Sequence, residues 1–230
     1  MKKAFPFLAL LTAALLSFAL YQAMVVAPTE KTMGDVQRIF YYHVPSAWTA
    51  FLFFLINLIA SIVYLIRRNL EWDAVAVASA EVGVVFCTVV LVTGPLWARP
   101  VWGIWWTWDI RLTSTLVLWL IYVSYLILRR FSTGGQTPVL AAALAIFGAL
   151  DVPLVYFSIW FFRTQHPQPV IGGGGAIDPR MLRVLLINWL AFLCFGALVF
   201  WARYRLEVLQ REAEEAEALE ALLEPKGASQ

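Results

Sequence analysis

Cysteine, histidine and charged residues are all scarce in this sequence. Two cysteines and two histidines occur among 230 residues, and 14% of the residues are charged. Cys87 and Cys194 each lie inside an apolar run with no second cysteine at metal-site spacing, so the sequence predicts neither a disulfide scaffold nor a zinc site. The net charge of +2 is small, and the basic residues come as short pairs, which does not predict a nucleic-acid-binding surface.

Long apolar runs dominate the rest of the chain. Hydrophobic residues make up 61% of it, and a helix of about 20 apolar residues crosses a hydrocarbon core of about 30 Å. The sequence therefore predicts an all-α, polytopic membrane protein with six transmembrane helices. The predicted spans are residues 4–26, 47–66, 74–96, 112–128, 139–161 and 182–201. The first apolar run is longer than that of a signal peptide, so we expect this helix to be retained.

Basic residues beside the helix ends predict the orientation. Loops rich in Lys and Arg tend to stay in the cytoplasm. The flanking residues are Lys2 and Lys3, Arg67 and Arg68, Arg129 and Arg130, and Arg203 with Arg205. Both termini are then cytoplasmic, and three longer loops, 28–46, 97–111 and 162–181, face outward. The outward loops also carry basic residues, so the predicted orientation depends on the paired basic residues beside the helix ends.

The chain is predicted to form one membrane domain with a tail. Residues 1–203 form the six-helix domain, including a tryptophan-rich loop at about 97–111, and residues 204–230 form a cytoplasmic helical tail. Up to residue 224 the tail is rich in Glu, Ala, Leu and Arg and contains no proline or glycine, a composition typical of a helix. We interpret the acidic stretch 212–220 as a solvated face.

Both histidines fall in predicted outward loops close to a membrane boundary. His43 precedes Val44-Pro45, and His166 precedes Pro167. Proline limits backbone freedom, as a ligand with a fixed direction requires. Neutral imidazole is the commonest protein metal ligand and a regular axial ligand of haem iron. The pair is therefore a candidate metal or haem site.

Five tryptophans lie between residues 97 and 108. An aromatic belt at headgroup depth explains their position, but it does not explain their density or the nearby Gly103. A platform of indole faces suits a large flat apolar ring, and Arg99 or Arg111 can meet acidic groups on such a ligand. On the residues alone, a bound planar cofactor and an ordinary belt both remain open.

The sequence resembles a known membrane family at three places. The stretch WGIWWTWDIRLTS, residues 102–114, resembles the WWD motif of haem-handling proteins of cytochrome c assembly. Gly34-Asp35 with Tyr42-His43-Val44-Pro45, and Asp151-Val152-Pro153 with Thr164 and His166, resemble the first and third outer loops of one such family. That family is cytochrome c maturation protein C, also called haem exporter protein C.

The resemblance implies a set of haem-binding residues. The two histidines that match the axial ligands of the family are His43 and His166. The matching porphyrin platform is Trp102, Trp105, Trp106, Trp108 and Asp109, with Gly103 shaping the turn. Because the chain has no C-x-x-C-H attachment motif, the expected cofactor is non-covalent haem b.

The resemblance also implies partners and a location. The family presents haem at the outer, periplasmic face of the bacterial cytoplasmic membrane to a haem chaperone, cytochrome c maturation protein E. It works beside an ATP-driven complex of maturation proteins A, B and D. This chain has no G-x-x-x-x-G-K-[ST] phosphate loop, so any ATPase is another subunit. The expected role is cofactor delivery and not enzymatic catalysis, and the long acidic tail departs from the family pattern.

Two other functions compete with delivery. A haem lyase shares the tryptophan-rich motif, but such relatives carry further histidines. A haem permease requires a polar path at the midplane, where the sequence offers little beyond Asp151, Asn57 and Asn188. We expect the asparagines to bond between helices and Asp151 to help shape the site. Glu81 can reach the interface, and the four glycines at 172–175 are interpreted as a flexible segment.

Overall fold

The structure, a computed structural model, describes residues 4–132, 134–166 and 177–223. Within these ranges the helices are α1 (Ala4–Tyr21), α2 (Phe40–Arg67), α3 (Leu70–Trp102), α4 (Ile110–Phe131), α5 (Thr137–Ala149), α6 (Asp151–Phe161) and α7 (Pro179–Leu223). A π-helical turn, Gln22–Val26, extends α1, and a 3-10 turn, Asp35–Ile39, leads into α2. Six segments are long and apolar enough to cross a membrane, with α5 and α6 forming one of them. The predicted six-helix, all-α fold is confirmed.

Helix α2 begins earlier than the sequence predicted. The outward loop was expected to reach residue 46, but the helix starts at Phe40 and includes both His43 and Pro45. Pro45 is the sixth residue of α2, and a membrane helix tolerates a proline at such a position because neighbouring groups can satisfy the freed carbonyl. Phe40 and Tyr41 are buried against Val184 and Leu185 of α7, and this packing favours the earlier start. His43 is therefore a helix residue and not a loop residue.

Helix α3 also runs further than predicted. It continues through Pro95 and Pro100 to Trp102 and ends at Gly103, whose φ of 77° is the left-handed conformation of a helix C-cap. The predicted loop 97–111 is therefore helical as far as Trp102, and the non-helical link is confined to residues 103–109. Proline is tolerated inside membrane helices, because neighbouring groups can satisfy the freed carbonyls.

The fifth membrane segment is divided into two helices. Helix α5 ends at Ala149 and α6 starts at Asp151, with Leu150 joining them at φ −65° and ψ −21°. Pro153 has no N–H to donate to the carbonyl of residue 149, so the ladder is interrupted at this point. The membrane segment is therefore broken between the two helices, beside Asp151.

The core lies between α2, α3, α4 and α5. The ring of Phe54 is stacked on that of Tyr122, with centroids 3.9 Å apart. A Cβ at Gly83 would lie 2.5 Å from Phe54 Cε1, so the glycine allows α3 to approach this ring.

As expected, both asparagines join helices: Asn57 donates to the Ala76 carbonyl of α3 at 2.7 Å. Asn188 donates to the Ala19 carbonyl of α1 at 3.3 Å.

Ion pairs tie α7 to the bundle at the end opposite His43. Asp73, which is 2% exposed, receives two bonds from Arg129 at 2.8 and 2.6 Å and one from Arg211 at 2.7 Å. Arg203 pairs with Glu81, so Glu81 has a partner on α7. Helix α7 is continuous to Leu223, so the chain is helical from Pro179 to this residue. The stretch 212–220 is exposed, and residues 224–230 lie outside the described ranges.

Candidate functional site

The two histidines of the chain are brought together at one end of the bundle. His43 lies in the first turns of α2, and His166 follows the end of α6. Their ring centroids are 6.4 Å apart, with 29° between the ring planes. Residues that are far apart in the sequence therefore form a pair of nearly parallel imidazoles.

His43 is held mainly by α3. The residue is 9% exposed, and its Nδ1 is 2.9 Å from Thr93 Oγ1. The Trp97 ring packs edge-on against the imidazole, with centroids 5.8 Å apart. Thr93 and Trp97 are separated by four positions, so one helical face presents both to the ring. Sequence reasoning did not single out Thr93, and it placed Trp97 in a loop instead of on this face.

Two cavities meet at the histidine pair. Their volumes are about 210 Å³ and about 710 Å³, and the larger is within the range of roughly 300–1,000 Å³ typical of ligand sites. Among the described residues, those that line both are Met33, His43, Ala47, Phe51, Trp97, Arg111 and His166. Both imidazoles therefore border a mainly apolar space.

The structure distinguishes between the two candidate arginines. Arg111 lines both cavities from the first turn of α4. Its Nη1 is buried and has no acceptor among the described residues. Arg99 is exposed, donates to the Gly103 carbonyl and lies 6.0 Å from the centre of the Trp105 ring. Of these two arginines, Arg111 faces the cavities and Arg99 caps the end of α3.

The tryptophans fall into two groups. Trp97, Trp102 and Trp106 line the smaller cavity. Trp105 and Trp108 are 55% and 76% exposed. The predicted platform is thus divided between a wall of the cavity and an aromatic surface beside it, since residues 103–109 leave the helix and turn part of the motif outward.

Asp109 connects the tryptophan-rich segment to the segment that carries His166. Its Oδ1 accepts from the Leu112 N–H at 2.9 Å and so caps the N-terminus of α4. Its Oδ2 accepts from the Gln165 N–H at 3.0 Å and from Thr107 Oγ1 at 3.3 Å. The carboxylate therefore fixes the backbone one residue before His166.

Two carboxylates at the rim of the larger cavity are stabilised in their charged form. The Met33 N–H, at 2.6 Å, is the main cause of a lowered pKa at Glu30, and the Thr32 N–H adds to it. The Arg180 guanidinium, at 2.8 Å, lowers the pKa of Asp178 to about 2. Each carboxylate thus already has local donors, whereas the Nη1 of Arg111 has no acceptor among the described residues.

Other candidate residues from the sequence lie away from this site. Asp151 starts α6 and lines neither cavity, and Glu81 is paired with Arg203. The four glycines at 172–175 and Pro167 lie outside the described residues.

Comparison with known proteins places this chain in a family. The model of the family described as Heme exporter protein C matches residues 1–219. The Heme exporter protein C of Bradyrhizobium diazoefficiens is 35% identical over 219 residues, which cover 94% of this chain and 83% of that protein. The Escherichia coli K12 protein of the same name is 31% identical over 208 residues, covering 90% and 84%. A putative cytochrome c biosynthesis ccmC-like mitochondrial protein of Arabidopsis thaliana is 32% identical over 216 residues, covering 92% and 82%. The chain therefore belongs to the Heme exporter protein C family.

Proposed function

We propose that this protein binds haem b non-covalently between His43 and His166, at the outer face of the membrane. It would then deliver the haem to a haem chaperone during cytochrome c maturation. The names of the relatives concern haem export and cytochrome c biosynthesis. The observation that carries the proposal for this chain is the pair of imidazoles, 6.4 Å apart, at the border of two cavities.

The separation of the rings fits a shared iron. Two metal–nitrogen bonds of about 2 Å each, plus about 1 Å from each nitrogen to its ring centre, place the centroids roughly 6 Å apart. The centroid distance is 6.4 Å. The two imidazoles therefore suit the axial positions of one iron.

The surroundings fit the remainder of a haem molecule. Haem presents a flat apolar ring with two carboxylates, and the cavity walls are apolar and aromatic at Phe51, Trp97 and Trp106. The buried Nη1 of Arg111 donates to no described residue, and a carboxylate is the group that a guanidinium binds best. Arg111 would pair with a propionate, and the tryptophans would cover the ring.

The protein residues hold the cofactor and the partner receives it. Bound haem supplies an iron centre whose electron density the axial ligands adjust. The exposed Trp105 and Trp108 provide an aromatic surface next to the site, which a docking chaperone, maturation protein E, can cover. Maturation proteins A, B and D would supply ATP-driven work. The role is delivery, with no catalytic step assigned to this chain.

The polar groups within the bundle favour delivery over passage of haem through the chain. The amides of Asn57 and Asn188 donate to backbone carbonyls of neighbouring helices, so they serve as helix contacts. Asp151 lines neither cavity. A permease path at the midplane therefore finds little support among the described residues.

The decisive test of this function is the absorption spectrum of the purified protein. We expect a low-spin haem with two nitrogen ligands that acid-acetone removes completely. When maturation protein E is co-expressed, the chaperone should acquire covalent haem. Haem that stays on this chain after extraction, or a five-coordinate high-spin spectrum, would contradict the proposal.

We further propose that the histidine end faces the periplasm and the opposite end faces the cytoplasm of a bacterial inner membrane. Arg129 and Arg211 both contact Asp73, and Arg67 and Arg68 end the helix that precedes α3, so these cations gather at one end. Reporter fusions after Arg68 and after Arg130 should report cytoplasm, and fusions after Lys31 and after Arg99 should report the outside. A reversed pattern at any of the four sites would refute the orientation.

A further inference from the structure

The ring of His43 is attached to α3 through Thr93. Its Nδ1 lies 2.9 Å from Thr93 Oγ1. A Cβ at the adjacent Gly94 would lie 3.5 Å from the ring atom Cε1, so the edge that carries Nδ1 and Cε1 packs against α3. In the imidazole ring, Cε1 is bonded to both Nδ1 and the other nitrogen, Nε2.

The hydrogen-bond geometry of Thr93 decides which atom donates. The hydroxyl has one proton, and Oγ1 lies 2.7 Å from the Val89 carbonyl and 3.4 Å from the Val90 carbonyl. Bonding of a threonine hydroxyl to the carbonyl four residues earlier is a common arrangement in helices. With its proton directed to Val89, Oγ1 has only lone pairs to offer to the imidazole. Nδ1 must then carry the proton and donate to Thr93.

We infer that Thr93 is a positioning residue that fixes His43 in the Nδ1–H tautomer and leaves the Nε2 lone pair available to iron. The inference rests on the proposed function, in which His43 is an axial ligand. A metal-bound histidine usually donates its second N–H to an acceptor, which sets the tautomer, orients the ring and raises the basicity of the ligand. Loss of such an acceptor typically costs about 10- to 100-fold in metal affinity.

The chain offers a matched control on the same helix. Thr88 bonds back to the Val84 carbonyl at 2.8 Å and also accepts a ring N–H, from Trp119 Nε1, at 2.8 Å. Thr88→Val therefore removes the same kind of hydroxyl from α3 without touching His43. Thr93→Val removes the proposed acceptor at nearly constant volume, and Thr93→Ser retains it.

The test has a readout before haem is added. With only two histidines in the chain, 15N NMR of the haem-free protein, labelled on histidine and assigned with a His166→Ala variant, reports the His43 tautomer. We expect the Nδ1–H form in the wild type, Thr93→Ser and Thr88→Val, and a mixture in Thr93→Val. After haem is added, Thr93→Val should release it about tenfold faster to a haem acceptor and show a higher iron reduction potential, because a less basic ligand favours the reduced iron.

The outcomes separate the inference from the function on which it rests. An unchanged tautomer in Thr93→Val would overturn the assignment of Thr93 while leaving haem binding untouched. A changed tautomer with unchanged haem release and potential would show that His43 is not the iron ligand, which overturns both. If Thr88→Val and Thr93→Val had equal effects on the tautomer, on haem release and on the potential, Thr93 would contribute only to the general packing of α3. That result would also overturn the inference.

Discussion

Replacing either histidine by alanine is expected to remove one axial nitrogen and to lower haem content more than any substitution of a tryptophan or of Thr93. Ligand loss should exceed the roughly 10- to 100-fold cost of removing an outer partner of a ligand. Alanine is a better replacement for His43 than glycine would be, because His43 lies in α2. Glycine within a helix lowers its stability by about 1 kcal/mol relative to alanine. The measurement is haem per protein together with the spin state.

Added imidazole distinguishes the loss of an iron ligand from the loss of packing surface around the haem. Imidazole can take the vacated axial position, so it should restore part of the low-spin spectrum and haem content in both histidine variants. Trp106→Ala removes packing surface from the smaller cavity, and imidazole should not restore its haem. Trp108→Ala is the control, because this side chain is 76% exposed and should affect haem content least. Imidazole that rescued none of the histidine variants would contradict the shared-iron site.

The sequence predicted the membrane architecture because apolar length is a direct physical signal. Each run long enough to cross the hydrocarbon layer corresponds to a helical segment in the structure. The break beside Leu150 also had a local cause, the missing N–H of Pro153. The start of α2 and the end of α3 were predicted wrongly, because proline and polar residues near a membrane boundary indicate a loop. In the structure, packing lets α2 begin before Pro45 and lets α3 continue beyond Pro100.

The site was predictable only where its residues are chemically distinctive. The resemblance pointed to His43 and His166, and the structure places them side by side. Thr93 is a small polar residue in an apolar helix, and the sequence contains no local sign of its contact with His43. The choice between Arg99 and Arg111 likewise needed the fold, because only tertiary structure shows which guanidinium faces the cavities.

Asp109 is expected to act on haem through His166. The resemblance implied only that Asp109 belongs to the porphyrin platform. In the structure Oδ2 receives the Gln165 N–H at 3.0 Å, next to His166. Asp109→Asn can keep the cap of α4 through one oxygen, since asparagine and aspartate cap helices equally well. Its amide nitrogen, however, would face the Gln165 N–H as a second donor.

The predicted effect of Asp109→Asn is a weaker hold on His166. A hydrogen bond to a charged group contributes about 1.5–3 kcal/mol. The bond between the Gln165 N–H and the Asp109 carboxylate is partly exposed, which favours the lower value. Haem affinity should therefore fall about tenfold. A high-spin fraction should appear, and imidazole should convert it to low spin, as in His166→Ala. Thr107→Val is the control, since it removes only the longer contact, 3.3 Å, to the same carboxylate. If Asp109→Asn kept wild-type haem affinity and spin state but no longer passed haem to the chaperone, Asp109 would act on the partner and its positioning role would be refuted.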